Sequence, residues 1–238
     1  EAPVFETTTG PVRVITAASL FDGHDAAINV MRRLIQSSGA EVIHLGHDRS
    51  AKDVVDCAVQ EDAHAVALTS YQGGHMEYFT YIRQLLDEAG CEHVRIFGGG
   101  GGTITPPEIR DLHKSGISRI YSPDDGRKMG LMGMIHDLMG TASEVDLISD
   151  ERLASLDGSI TADEMAKVGL LLTLSESASD EDFKAMVEKV RSSDKEVPVI
   201  GFTGTGGAGK SSLLDELMLR ILRDNPDKKV CLLCVDPT

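Results

Sequence analysis

The chain has 238 residues, 41% of them hydrophobic, and a formal net charge of −15. That length suits one large domain, or one domain and part of another, and the acidity excludes nonspecific nucleic-acid binding, which needs Lys/Arg surfaces. Four cysteines over this length make no disulfide framework, and no apolar run approaches the ~20 residues that span a bilayer. Glu1-Ala2-Pro3-Val4-Phe5 lacks a basic stretch followed by an apolar core, so the chain reads as cytosolic, with no membrane partner. It has no initiator Met and stops directly after an apolar run, and so reads as a fragment of a longer protein.

With 4% aromatics and no Trp, the core is expected to be aliphatic. Residues 12–17 form a short β-branched run, the first predicted strand. Apolar residues from Ala26 to Ile35 then recur at helical spacing, closed by Gly39. Residues 41–45 are the second strand and 51–60 the second helix. Residues 63–69 are the third strand, followed by a helix over 75–88. Residues 94–97 are the fourth strand, running into the glycines Gly98 to Gly102. Pro106 and Pro107 open another helix. Residues 117–121 are the fifth strand and 126–139 the last helix of this set. Short strands alternating with longer helices predict right-handed βαβ crossovers: an α/β, flavodoxin-like (Rossmann-type) fold with a five-stranded parallel sheet, over residues 1–140.

Residues 141–196 carry 14 acidic and 6 basic residues, a net of −8, with helical patches over 162–172 and 180–191 and no strand pattern. They read as an acidic helical linker whose charge needs no partner beyond water. From Val197 the strand–loop–helix pattern returns: a strand over 197–202, a loop over 204–209, a helix over 210–223 and a strand over 230–235. Residues 197–238 are therefore expected to begin a second α/β domain.

Gly204-Thr205-Gly206-Gly207-Ala208-Gly209-Lys210-Ser211 fits G-x-x-x-x-G-K-[ST] at every position. Backbone N–H groups of such a loop cradle phosphates at a helix N-terminus, and its glycines allow close approach and positive φ. Lys210 is expected at the β and γ phosphates and Ser211 at Mg²⁺, with Ser212 next on the helix counted in the nucleotide site. Asp236 ends the following apolar run; support of Mg²⁺ through water and capping of a turn are both open to it.

In an open parallel sheet, ligands sit beyond the carboxyl ends of the strands. Asp22 and His24 fall there, as do Thr69-Ser70, the glycine cluster, and Ser122-Pro123. A carboxylate that accepts a His N–H fixes the tautomer and raises the basicity of the other nitrogen toward a metal. The glycine cluster offers bare backbone to a bulky planar group or a threaded chain.

Asp22-Gly23-His24 resembles the start of the D-x-H-x-x-G signature of cobalamin-binding domains, with Ala27 in place of the last Gly. Residues 66–75 resemble the S-x-L segment of that family, with Thr69 and Tyr71 replacing Ser and Leu. Ile96-Phe97-Gly98-Gly99 followed by Pro106-Pro107 resembles its Gly-Gly segment, with extra glycines inserted. The resemblance implies that His24 is the lower axial ligand of cobalt in adenosylcobalamin and that Asp22 hydrogen-bonds it. It also implies that the displaced nucleotide tail lies by Thr69, Ser70, Gly98 and Gly99. The order of cobalamin-like domain, acidic linker and phosphate loop is similar to that of the fused isobutyryl-CoA mutases. That family implies interconversion of isobutyryl-CoA and n-butyryl-CoA, GTP hydrolysis with Mg²⁺ gating cofactor loading and repair, a barrel beyond Thr238 for the acyl-CoA, and a homodimer.

Two other classes compete. A B12-sensing module would carry a basic DNA-binding surface, which this acidic chain lacks. A methyltransferase-type cobalamin carrier would lack the loop at Gly204. Cys231 and Cys234 are expected in strand core, and Met129, Met132, Met134 and Met139 as gap-filling core. Phe21 is open to two places, the rim of the bound macrocycle and the rim of the sheet.

Overall fold

The structure, a computed structural model, describes residues 3, 5–158, 160–161, 163–190 and 197–235. It divides into two compact units, Glu1–Ser193 and Asp194–Thr238. In the first, strands β1 (Arg13–Ser19), β2 (Glu41–Arg49), β3 (Ala65–Thr69), β4 (Arg95–Gly99) and β5 (Arg119–Tyr121) form one parallel sheet in the order β2-β1-β3-β4-β5. The order reverses between β1 and β3, which opens a crevice at their carboxyl ends.

Alternation along the strands sends side chains to two cores. Val14, Ala67, Phe97 and Tyr121 pack under helices α1 (Asp25–Ser37) and α5 (Pro123–Ser143). Ile15, Val66, Ile96 and Ile120 pack under α2 (Ala51–Gln60), α3 (His75–Glu88) and α4 (Pro106–Lys114). Local chemistry sets the helix starts: Ser50 with Asp53, Thr105 with Glu108, and Ser122 with Asp125 each form a reciprocal capping box.

The differences from the sequence reading have local causes. β2 runs on to Arg49 rather than ending at Leu45, because register shifts against β1 accommodate Gly46 and Asp48 at positive φ. β4 takes in Gly98 and Gly99, which were expected in the loop. A Cβ on Gly98 would stand 2.4 Å from the Phe79 ring, so strand pairing there needs a residue without a side chain. α5 starts at Pro123 and breaks at Gly130 (φ 67°, ψ 175°), and of its methionines Met139 is buried while Met129 and Met132 are exposed. A short hairpin, Glu6–Thr7 with Gly10–Pro11, precedes β1 and had no sequence signal.

The acidic segment is helical as expected, with α6 (Asp150–Ala154), α7 (Met165–Ser177) and α8 (Asp180–Val190). It is not simply solvated. Leu156, Leu170, Leu174 and Val190 form a core of their own, and α7 lies close on the end of α2, where a Cβ on Gly169 would stand 2.8 Å from the Val59 carbonyl oxygen. Beneath it, buried Asp62 accepts hydrogen bonds from Arg152 (2.6 Å) and from Thr173 Oγ1 (2.7 Å), and Arg13 donates to Thr173 Oγ1 (2.7 Å).

In the second unit, the regular element among the described residues is α9 (Lys210–Asp224). Residues 197–202 and 230–235 do not form the expected strands. A strand is defined by its ladder, and neither segment has a paired neighbour. No described residue of this unit is buried, so Cys231 and Cys234 are exposed rather than core. Among the described residues, no helix is long and apolar enough to cross a membrane.

Candidate functional site

The chain leaves β1 at Ser19 and turns at once. Asp22 N–H donates to the Ser19 carbonyl (3.0 Å), closing a turn over Leu20 and Phe21. The turn drops the Asp22 side chain into the crevice, fully buried. There Oδ1 accepts the His24 backbone N–H (2.9 Å) and lies 2.7 Å from His24 Nδ1, while Oδ2 accepts the Tyr71 N–H (2.6 Å) from beyond β3. Ser19 Oγ donates to Ser70 Oγ (3.0 Å) across the same gap. Burial, the largest single influence, pushes the Asp22 carboxyl up, but the hydrogen bonds from Tyr71 and His24 together outweigh it and hold the pKa below the usual value.

An ionised Asp22 is acceptor-only, so the His24 proton beside it belongs on Nδ1 and the lone pair on Nε2. His24 occupies the N-cap of α1 yet makes no capping hydrogen bond. Its side chain is 64% exposed, and its ring centroid lies 5.5 Å from that of Tyr71. Gly23 has open space where a Cβ would be; the structure gives no steric reason for glycine there.

Beside this pair, α1 and α5 splay over the sheet and leave a cavity of about 430 Å³. Ala67, Thr69 and Gly99 contribute small residues of its lining, together with Ala27, Met31 and Leu138 from the helices. Thr69 is only 7% exposed, and its Oγ1 has no hydrogen-bond partner. A buried hydroxyl without a partner costs about 1–3 kcal/mol, so an apolar cavity with such an atom fits an apolar guest carrying a polar atom. Gly100 is required by its surroundings, since a Cβ there would stand 1.9 Å from the Ser70 carbonyl oxygen. Gly98 borders the cavity through its backbone alone, because the room left by its missing side chain belongs to Phe79 on the opposite face.

The structure thus brings Asp22, His24, Thr69, Ser70 and Gly99 to one crevice. Sequence reasoning did not single out Ser19 or the Tyr71 amide. Their signal was positional, one at the last residue of β1 and the other two residues past β3. His44 and His47 gather no metal set, and no cluster of three or more His, Cys, Asp or Glu suited to a metal occurs among the described residues.

The loop before α9 has Gly207 (φ 74°) and Gly209 (φ 81°) in the left-handed region, which only glycine adopts freely. Lys210 Nζ folds back to donate to the carbonyls of Gly204 (2.8 Å) and Thr205 (3.0 Å). Gly206, Ala208, Ser211 and Ser212 are exposed around it. Asp236 lies outside the described residues.

Comparison with known proteins bears on both sites. The B12 binding domain family model matches residues 12–124, and the model of the methylmalonyl-CoA mutase-associated GTPase MeaB matches residues 168–238. The chain is 51% identical over 236 residues to a fused isobutyryl-CoA mutase of Geobacillus kaustophilus, covering 95% of this chain and 21% of that one. It is 51% identical over 232 residues to the enzyme of the same name from Nocardia farcinica, covering 96% and 21%. The 2-hydroxyisobutanoyl-CoA mutase small subunit of Aquincola tertiaricarbonis is 31% identical over 115 residues, covering 48% of this chain and 82% of that subunit. The chain spans about a fifth of the length of the fused relatives. It belongs to the fused isobutyryl-CoA mutase family, of which it holds the B12-binding domain and part of the MeaB-type GTPase domain.

Proposed function

We propose that this chain is the cobalamin- and nucleotide-binding part of a cytoplasmic, homodimeric isomerase. In this reading the enzyme interconverts isobutyryl-CoA and n-butyryl-CoA with adenosylcobalamin, and hydrolyses GTP with Mg²⁺ to gate cofactor loading and repair. The acyl-CoA is held by a barrel outside these residues. Residues 1–140 form the cofactor domain, 141–196 the helical connection and 197–238 the start of the GTPase domain.

The carrying observation is the buried Asp22 beneath an exposed His24, next to a cavity whose one orphaned polar atom is Thr69 Oγ1. Asp22 keeps the His24 proton on Nδ1, so that the His24 Nε2 lone pair would be the one to bind cobalt. With the cofactor bound, Thr69 Oγ1 would give its unused hydrogen bond to the benzimidazole tail, and Gly99 would leave room beside it. The Ser70 carbonyl packs against Gly100, a residue of the cavity lining. When bound, the cofactor supplies homolytic cleavage of its cobalt–carbon bond. In the phosphate loop, Lys210 exchanges the carbonyls of Gly204 and Thr205 for β and γ phosphate oxygens. The Ser211 hydroxyl would ligate Mg²⁺.

Electron paramagnetic resonance of the protein loaded with cob(II)alamin tests the ligand. Nitrogen superhyperfine splitting is expected in the wild type and its loss in His24→Ala; splitting that survives the substitution would rule His24 out.

A further inference from the structure

Two non-glycine residues with left-handed backbone meet at the edge of the ligand crevice. Phe21 (φ 63°) is the third residue of the turn closed by Asp22 N–H on Ser19 C=O, and Asp48 (φ 57°) stands near the end of β2. They are joined by one hydrogen bond, Phe21 N–H to Asp48 Oδ1 at 2.7 Å. A left-handed residue in that place of a turn is ordinarily Gly or Asn, and a bulky L-residue there is strained. The Phe21 side chain is 79% exposed, so little burial offsets that strain. The turn nevertheless decides where Asp22 points, because Asp22 is its last residue.

We propose that Asp48 is a positioning residue for the His24 ligand: by holding the Phe21 N–H it enforces the left-handed turn that seats Asp22 under the His24 ring. Asp48 touches neither His24 nor the cavity, so it acts wholly through the backbone of the turn. The turn and the D-x-H segment it leads into are then clamped from both neighbouring strands, by Asp48 near the end of β2 on one side and by the Tyr71 amide and Ser70 hydroxyl after β3 on the other. The inference rests on the reading of His24 as the cobalt ligand.

The turn itself supplies the test. Glycine adopts φ near +60° without strain, so Phe21→Gly removes the need for the Asp48 contact while keeping the turn. In the intact protein, Asp48→Ala is expected to reduce the cob(II)alamin signal with nitrogen splitting, to weaken cob(II)alamin binding about three- to tenfold, the worth of one exposed hydrogen bond, and to speed amide hydrogen exchange of the apo peptide spanning residues 19–25. Adding Phe21→Gly is expected to restore the splitting and slow the exchange again. Asp48→Asn, which keeps an acceptor and tolerates left-handed backbone, is expected to behave as wild type. Far-UV circular dichroism confirms that each variant is folded. Wild-type splitting with an unchanged Asp48→Ala spectrum and exchange would overturn the proposal, as would failure of Phe21→Gly to rescue. Absence of splitting in the wild type would instead overturn the ligand reading beneath it.

Discussion

The orphaned Thr69 hydroxyl separates stability from binding at a single atom. It is buried, it lines the cavity and it has no partner. Thr69→Val keeps the shape and removes the desolvated polar atom. The apo protein is expected to gain about 1 kcal/mol in urea unfolding, while cob(II)alamin affinity falls roughly tenfold, as for one lost hydrogen bond near 1.4 kcal/mol. Equal affinity in the variant would show that Thr69 makes no bond to the tail. The Asp22–His24 pair was legible in the sequence because the two residues are two apart and act locally. The Tyr71 amide that completes Asp22's acceptor set was not, because it arrives from 49 residues away. Gly98 and Gly99 were read alike because a run of glycines does not show which sheet face each member turns to. That needs the register which places Gly98 opposite Leu68 and Ile120.

Among the elements, α2 and α3 were legible to the residue, since apolar periodicity set their length and α2 has a capping box at its start. The docking of α7 was hidden by the acidity of its surroundings. Its anchor is the buried Asp62, with Arg152, Thr173 and Arg13 about it and two histidines beside it. His64 Nδ1 accepts the Arg13 backbone N–H (3.0 Å), which requires a neutral ring. Burial, then the Arg13 charge, pushes its pKa down to about 4. Burial, then Arg152, does the same for His93, against the attraction of Asp62 and with Arg83 also nearby. In the unfolded chain both titrate near 6.5. The unfolded state therefore binds more protons below that pH, and their stabilising difference is intact above pH 6.5 and lost progressively down to about pH 4. Between pH 7 and pH 5 the loss is roughly 2 kcal/mol per histidine. Urea midpoints at the two pH values are expected to differ clearly in the wild type and much less in the double variant His64→Asn/His93→Asn. An equal difference in both would refute the assignment.

At the scale of the molecule, the two candidate sites lie on two compact units, and the alternation of strands and helices made the parallel sheet of the first legible. The second was legible as a loop, not as a sheet, because a phosphate-loop motif is local and a ladder is not. Independence of the sites is testable in the full-length enzyme. Lys210→Ala is expected to lower affinity for a fluorescent GTP analogue by roughly a hundredfold, as expected for losing a charge-assisted phosphate contact worth about 3 kcal/mol, and to leave cob(II)alamin affinity unchanged. Parallel loss of both would contradict the two-site reading.

Strand β1 runs between two very different neighbourhoods. At Arg13 it is tied to Thr173 of α7, inside the stretch matched by the GTPase family. Six residues later, at Ser19, it delivers the turn that seats Asp22. It is laddered on both edges and buried from Val14 to Ser19, so over its ~23 Å it behaves as a stiff strut. Its two ends have no soft joint between them. A displacement of α7 must therefore either be absorbed at the Arg13 contact or reach the ligand end as translation of the whole strut, and the register of β1 against β2 and β3 is where such a movement would be read.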